Sequence, residues 1–373
     1  ARQECTCAME SSGTVPDVGV PADDLRAIVE RPGPFASVVL ATEGAVENAA
    51  QTNERRWKAL RQDLEDAGAP EAVLDAIDGI VPDAHLAGDG LVVVASQSGV
   101  ALVEHLDDTP SAERASWSTV PDLVPVLEAR QHRVPHIVVL ADRGGADVIG
   151  VSQGGRLTRL TAGDDDPERK VGGGGWSHRR IQQRAEDDWA HQAREVASEV
   201  SALARRLDPR VVVIGGDVRA VQLIRDDLPA EVAERVHVID PGRAVDGSED
   251  ERRTEIRRLV QTAVAEDTVA TLEVFKEEMG QQDRAVAGAE ATIEALAQSA
   301  VGLLLVHDDD RTAHVGDDPL AVSLGSADGG PTVRLVDALI RAALVTGAGV
   351  RVVPGAGPVP EGVGAILRWN PTP

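Results

Sequence analysis

Residues 172–217 read GGGGWSHRRIQQRAEDDWAHQAREVASEVSALARRLDPRVVVIGGD, and the fold turns on how this stretch is parsed. After the glycines, Ile181, Ala185, Trp189, Ala193, Val196, Val200, Leu203 and Leu207 recur every three or four residues. That spacing puts them on one buried face of a helix running from Ser177 to about Leu207. At 1.5 Å per residue such a helix is roughly 45 Å long. Arg210–Ile214 then reads as a buried strand. It enters Gly215-Gly216-Asp217, whose aspartate is placed to cap a following helix.

Working outward, His136–Ala141, Ala146–Ser152 and Arg156–Leu160 predict three strands of a meander, separated by Asp142-Arg143-Gly144-Gly145 and Gly154-Gly155. Downstream, Val236–Ile239 predicts a strand, and Glu249–Ala265 a charged helix continuing through Thr268–Met279. Toward the N-terminus, helices are expected over Ala22–Glu30, Val46–Ala67 and Pro70–Ile80. Phe35–Thr42 is a buried strand, and Leu91–Ala95 with Val100–Glu104 is a hairpin. Leu106–His132 reads as a Pro-rich connection. In the last hundred residues Ala285–Gly288 opens a helix through Ala300, followed by strand Gly302–His307 and a hairpin through Asp308–Thr312. Helix Val333–Thr346 and strands Val350–Pro354 and Gly364–Trp369 follow. Alternating strands and helices predict an α/β protein. The expected divisions are a tail (1–22), an N-terminal α/β domain (23–133), a central domain (134–268) and a C-terminal α/β domain (269–373).

Composition narrows the function. Apolar residues make up 42% of the 373, enough for a core in each domain. No apolar run approaches the ~20 residues of a membrane span, and the first thirty residues do not read as a secretory signal, so the expected compartment is the cytoplasm. Net charge is −25, from 62 acidic and 37 basic residues. That argues against nonspecific nucleic-acid binding by the whole surface, DNA included, because phosphate affinity comes from local cation density. The basic residues are almost all arginine, with Lys58, Lys170 and Lys276 as the lysines.

Most motifs have a plain structural reading. Gly215-Gly216-Asp217 lacks the spacing of a dinucleotide-binding turn and reads as a capped strand–helix turn. Cys5 and Cys7 have too few neighbouring ligands for a tetrahedral metal site. His132 and His136 are separated by Val134-Pro135, which breaks any helix that would align them. Asp164–Asp166 and Asp308–Asp310 could hold a divalent ion, but both fall in predicted loops, where aspartate favours turns and solvent. No metal and no cofactor is expected.

Residues 172–180 differ from all of these. Gly172, Gly173, Gly174 and Gly175 pack nothing and cost backbone entropy. Directly behind them come Trp176, Ser177, His178, Arg179 and Arg180, with Arg184 one turn later. An aromatic for base stacking joined to a cation cluster suits RNA. A surface loop whose tryptophan tucks back into the fold is the equally good alternative on composition.

The order of meander, charged loop, Gly-Gly-rich tip, long arginine-bearing helix, strand and capped helix resembles the central domain of class-one peptide-chain release factors of archaea and eukaryotes, in a bacterial version. Gly174-Gly175 match the two glycines of that family's Gly-Gly-Gln tip, and Ser177 matches the serine that follows. Trp176 stands where the catalytic glutamine belongs. Leu272–Met279, Gly288, Ala295-Leu296 and Val301–Val306 resemble the opening of the family's third domain, so the resemblance covers roughly Val134 to Trp369. It implies a three-domain α/β fold with a C-terminal α/β sandwich, and a ribosomal partner, with rRNA contacts near the peptidyl-transferase and decoding centres. With the glutamine missing, it is similar to Balon-type ribosome hibernation factors, with elongation factor Tu as an implied partner. The related Vms-type peptidyl-tRNA hydrolases leave a second expectation, rescue of stalled ribosomes with Ser177 or His178 at the reactive tip. A third is a stress-linked protein binding RNA or protein away from the ribosome.

Overall fold

A computed structural model of the 373-residue chain describes residues 22–42, 49–86, 88–142, 145–162, 178–239, 249–281, 284–325, 330–355, 357 and 359–370. They form two compact units: one from Arg130 to Asp267, the other joining the described residues up to Ala129 with those from Thr268 onward.

In the unit made of the two chain ends, helix α1 (Asp23–Val29) leads to strand β1 (Phe35–Ala41), which is buried along its whole length. Helices α2 (Ala49–Asp66) and α3 (Glu71–Asp78) follow, then β2 (Gly90–Ser96), β3 (Gly99–Leu106) and β4 (Arg114–Ser118). The sheet is antiparallel in the order β3-β2-β1-β4. Side chains alternate across a strand. Accordingly Ala36, Val38 and Leu40 of β1 meet Trp57, Leu60 and Leu64 of α2. Phe35, Val92 and Val94 instead enter the core shared with the C-terminal part.

The predicted connection Leu106–His132 is structured, which corrects the sequence reading. It holds β4, paired to β1, and helix α4 (Val124–His132). Pro125 falls in the first turn of α4, where a missing N–H costs nothing, so the proline there is not a break.

The central unit contains β5 (His136–Ala141), β6 (Ala146–Val151), β7 (Leu157–Ala162), α5 (His178–Leu207), β8 (Val211–Gly216), α6 (Val218–Asp227), the short α7 (Ala230–Ala233) and β9 (Val236–Val238). Its sheet runs β7-β6-β5-β8-β9: the meander is antiparallel, and β5–β8 and β8–β9 are parallel. Ile137, Val139, Val212 and Ile214 pack with Ala193, Val196, Val200 and Leu203 of α5. The alternate residues Val138, Val211 and Val213 face Ala263 and Val264 of helix α8 (Glu249–Gln281).

The C-terminal part follows with β10 (Ala285–Ala287), α9 (Ala289–Ala297), β11 (Val301–Val306), β12 (Thr312–Val315), β13 (Val322–Ser323), β14 (Thr332–Arg334), α10 (Leu335–Val345), β15 (Gly349–Val352) and β16 (Val363–Leu367). One sheet is β10-β16-β11-β15 and a small one is β13-β12-β14. Three expectations change here. Ala285–Ala287 is a strand paired to β16 rather than a helical turn. Thr332–Arg334 pairs with β12 before α10 begins. β11 and β12 belong to different sheets, so Asp308–Thr312 is a crossover and not a hairpin. Short apolar runs read alike as strand or helix, and only a pairing partner decides. A shared core joins Leu25 and Ile28 of α1 and Leu127 of α4 to Leu339, Ile340 and Ala343 of α10.

Candidate nucleic-acid interface

The Gly-rich segment sits between the end of β7 at Ala162 and the start of α5 at His178. Gly172, Gly173, Gly174, Gly175, Trp176 and Ser177 lie outside the described residues, as do Asp164–Asp166, Cys5 and Cys7. His178, Arg179, Arg180 and Arg184 occupy the first two turns of α5. Arg180 and Arg184 are four residues apart, hence one turn apart along one side of the helix.

What the structure does describe is the mount that carries this segment. From Ala193 onward α5 is bedded on the sheet by Ala193, Val196, Ala197, Val200 and Leu203. Gly150 of β6 lets it approach: a Cβ there would lie 2.7 Å from Leu203 Cδ2 and from Leu207 Cδ1. The eleven steps from His178 to Trp189 span about 16 Å at 1.5 Å per residue, so the helix carries its first turns well away from the bedded end. A helix of 30 residues held along its C-terminal half by apolar packing is a stiff arm.

The β8–α6 turn is also explained by packing. Gly216 has φ 130, and a Cβ on it would stand 1.8 Å from the Ala141 carbonyl oxygen. The Asp217 N–H donates to that oxygen at 3.0 Å. Asp217 Oδ1 accepts from the Arg219 N–H at 3.0 Å and the Ala220 N–H at 3.4 Å, the cap read from the sequence. The glycines therefore serve strand closeness and a helix cap, and no dinucleotide spacing is involved.

Beside this turn a small cleft opens between α5 and α6, at the carboxyl ends of the parallel strands β5 and β8. Asp142, Trp189, Gln192, Val196, Asp217 and Ile224 are among its walls. Gln192 Oε1 is buried without a hydrogen-bond partner. Sequence reasoning placed Trp189 on the helix stripe and gave no sign of this cleft, which needs the β5–β8 pairing to exist.

The histidine and aspartate motifs resolve as structure. His132 ends α4 and His136 begins β5; His136 Nδ1 lies 2.7 Å from the Val134 carbonyl, and burial pushes its pKa below the usual value. Asp308 pairs with Arg334 and Arg114, and Asp309 with Arg311. Asp308 and Asp309 are thus held by guanidinium partners rather than facing solvent alone as the loop reading expected. Among the described residues no group of three or more potential ligands converges, and no helix is long and apolar enough to cross a membrane.

Residues 135–281 match the model of the Bacterial archaeo-eukaryotic release factor family 2. The matched segment contains the Gly-rich tip, α5, the capped α6 and nearly all of α8, so this part of the chain is release-factor-like. Two proteins of Mycobacterium tuberculosis, described as uncharacterized proteins MT2704 (strain CDC 1551 / Oshkosh) and Rv2629 (strain ATCC 25618 / H37Rv), are each 28% identical over 367 residues, covering 94% of this chain and 97% of theirs. Among solved structures, an archaeal translation termination factor aRF1 aligns at 15% identity and TM-score 0.23, over 92% of this chain and 96% of that one. Archaeoglobus fulgidus Pelota aligns at 16% and 0.37, over 96% and 93%. At those scores the superpositions carry no functional argument.

Proposed function

We propose that this chain is a cytoplasmic, ribosome-associated translation factor that occupies the A site without codon-specific termination, in the manner of a hibernation or protection factor. The observation that carries the reading is the release-factor-like segment 135–281 with Trp176 in place of the tip's glutamine. Release-factor chemistry needs a tip that positions water against the peptidyl ester, and an indole cannot reproduce an amide's hydrogen bonds. The same position suits stacking on an unpaired base, a contact worth about 1–3 kcal/mol. In this reading Gly172 to His178 approach the peptidyl-transferase centre, and Arg179, Arg180 and Arg184 contact rRNA or tRNA phosphate. The N-terminal part faces the decoding centre, and elongation factor Tu is the candidate delivery partner.

The test is release of labelled peptide from peptidyl-tRNA in the P site of 70S ribosomes, run beside binding of the same protein. Binding without release is expected. Release that is lost in His178→Ala or Ser177→Ala would replace this reading with that of a peptidyl-tRNA hydrolase. Absence of ribosome binding would remove both and leave another RNA or protein as the target.

A further inference from the structure

A dense group of charged side chains lies inside the unit built from the two chain ends. Arg114, from β4, donates from Nε to Asp122 Oδ2 at 2.7 Å. Its Nη1 lies 3.3 Å from Asp308 Oδ2, on the segment after β11. Arg334, at the end of β14, mirrors it. Arg334 bonds Asp308 through Nη2, and its Nη1 is 3.3 Å from Asp122 Oδ2 and 3.6 Å from Asp337 Oδ1 on α10. Each guanidinium thus bridges the two parts: Arg114 holds Asp122 and Asp308, and Arg334 holds Asp308 and Asp337 from its own part and Asp122 from the other. Asp122 is further fixed by its N–H donating to Ser37 Oγ at 3.0 Å and by Oδ1 accepting from the Val124 N–H at 3.2 Å. Those bonds tie the cluster to β1 and α4.

The arrangement is over-supplied with acid. Two guanidiniums face Asp122, Asp308 and Asp337, with Glu128 of α4 and His307 close by. The side chains of Asp122 and Asp337 are 4% and 5% exposed, so a third full negative charge has no water to share it. The hydrogen bonding is also incomplete: Arg114 Nη2, Arg334 Nε and Nη1, and Asp337 Oδ1 are buried with no aligned partner. A cluster selected only for rigidity would satisfy those atoms.

We infer that Arg114, Arg334, Asp122, Asp308 and Asp337 form a proton-carrying clamp that locks the N-terminal and C-terminal parts of this unit into one body and loosens when its surplus carboxyl ionises. Asp337 is the carboxyl that keeps the proton. Burial, then the neighbouring Asp122, pushes it well above the ordinary carboxylate range, while Arg334, Arg114 and Asp308 complete its surroundings. Glu128 is raised too, by burial and then by Asp308, against the opposing effects of Arg114 and His307. The direction of the pH effect follows. A folded-state pKa above the unfolded value means that opening releases a proton. The stability is fully present below the ordinary carboxylate pKa of about 3.9 and is lost as pH rises through the raised value.

The test is hydrogen exchange of α1 and α10 amides in the full chain, corrected for intrinsic rate, between pH 5 and 8. The wild type is expected to show an opening constant that rises more than about threefold over this range, because opening releases a proton. Asp337→Asn keeps the shape without the proton and should flatten that rise to under about twofold while protection at pH 5 is retained. Arg114→Met should raise opening at every pH. If Arg114→Met fails to fold, the Asp337→Asn slope decides alone. A wild-type pH slope that persists in Asp337→Asn would overturn the clamp, as would unchanged α1 protection in a folded Arg114→Met.

Discussion

Arg114 and Arg334 are partly buried among Asp122, Asp308 and Asp337, whereas Arg179, Arg180 and Arg184 stand together in a stretch, residues 172–184, that contains no acidic residue. The same side chain does two jobs here. In the unit formed by the chain ends, guanidiniums neutralise carboxylates that the fold has already buried, and their partners come from distant parts of the sequence. In the central unit three arginines fall in the first two turns of a long helix, ahead of Glu186, Asp187 and Asp188 in the sequence, in a protein whose net charge is −25. Arginines gathered in one stretch of an acidic protein are suited to an external polyanion.

Breaking each set separately sharpens the contrast. The largest expected effect is on stability at the buried cluster. Arg334→Met should leave Asp122 and Asp308 with Arg114 alone and Asp337 without its ion-pair partner, and lower unfolding stability by about 3 kcal/mol, read by denaturant titration. Next comes packing under the arm: Gly150→Ala drives a methyl into Leu203 and Leu207 and should cost roughly 1–3 kcal/mol. Asp217→Ala removes the α6 cap at about 1 kcal/mol, visible as a lower thermal midpoint. Arg179→Ala with Arg180→Ala should change stability by less than about 0.5 kcal/mol. Yet the double change should weaken ribosome binding and reduce the slope of log affinity against log salt by about 0.7–0.9 per lost phosphate contact. A double change that destabilises the protein and leaves the salt slope intact would erase the contrast.

The sequence foretold the arm better than the clamp, and the reason is range. The α5 stripe repeats within a single helix, the Asp217 cap acts over three residues, and β1 and β2 are continuous apolar runs, so each signal is local. β4, the short β10 and the β11–β12 crossover are decided by partners far along the chain, and all three were misread or missed. The clamp unites positions 114, 122, 308, 334 and 337, and as a sequence Asp308–Asp310 read as a solvated turn rather than as part of a salt-bridge cluster. The tip stands out in the sequence for the opposite reason: four glycines, a tryptophan and clustered arginines are contiguous, and they fall inside the segment matching a release-factor family.

The most direct test of the central claim is competition with A-site tRNA for vacant 70S ribosomes, followed by cosedimentation of wild type, Trp176→Ala and Arg179→Ala. The account predicts that wild type displaces A-site tRNA, leaves peptidyl-tRNA intact and binds less well in both variants. Simultaneous binding of the protein and A-site tRNA, or affinity unchanged by either substitution, would contradict it.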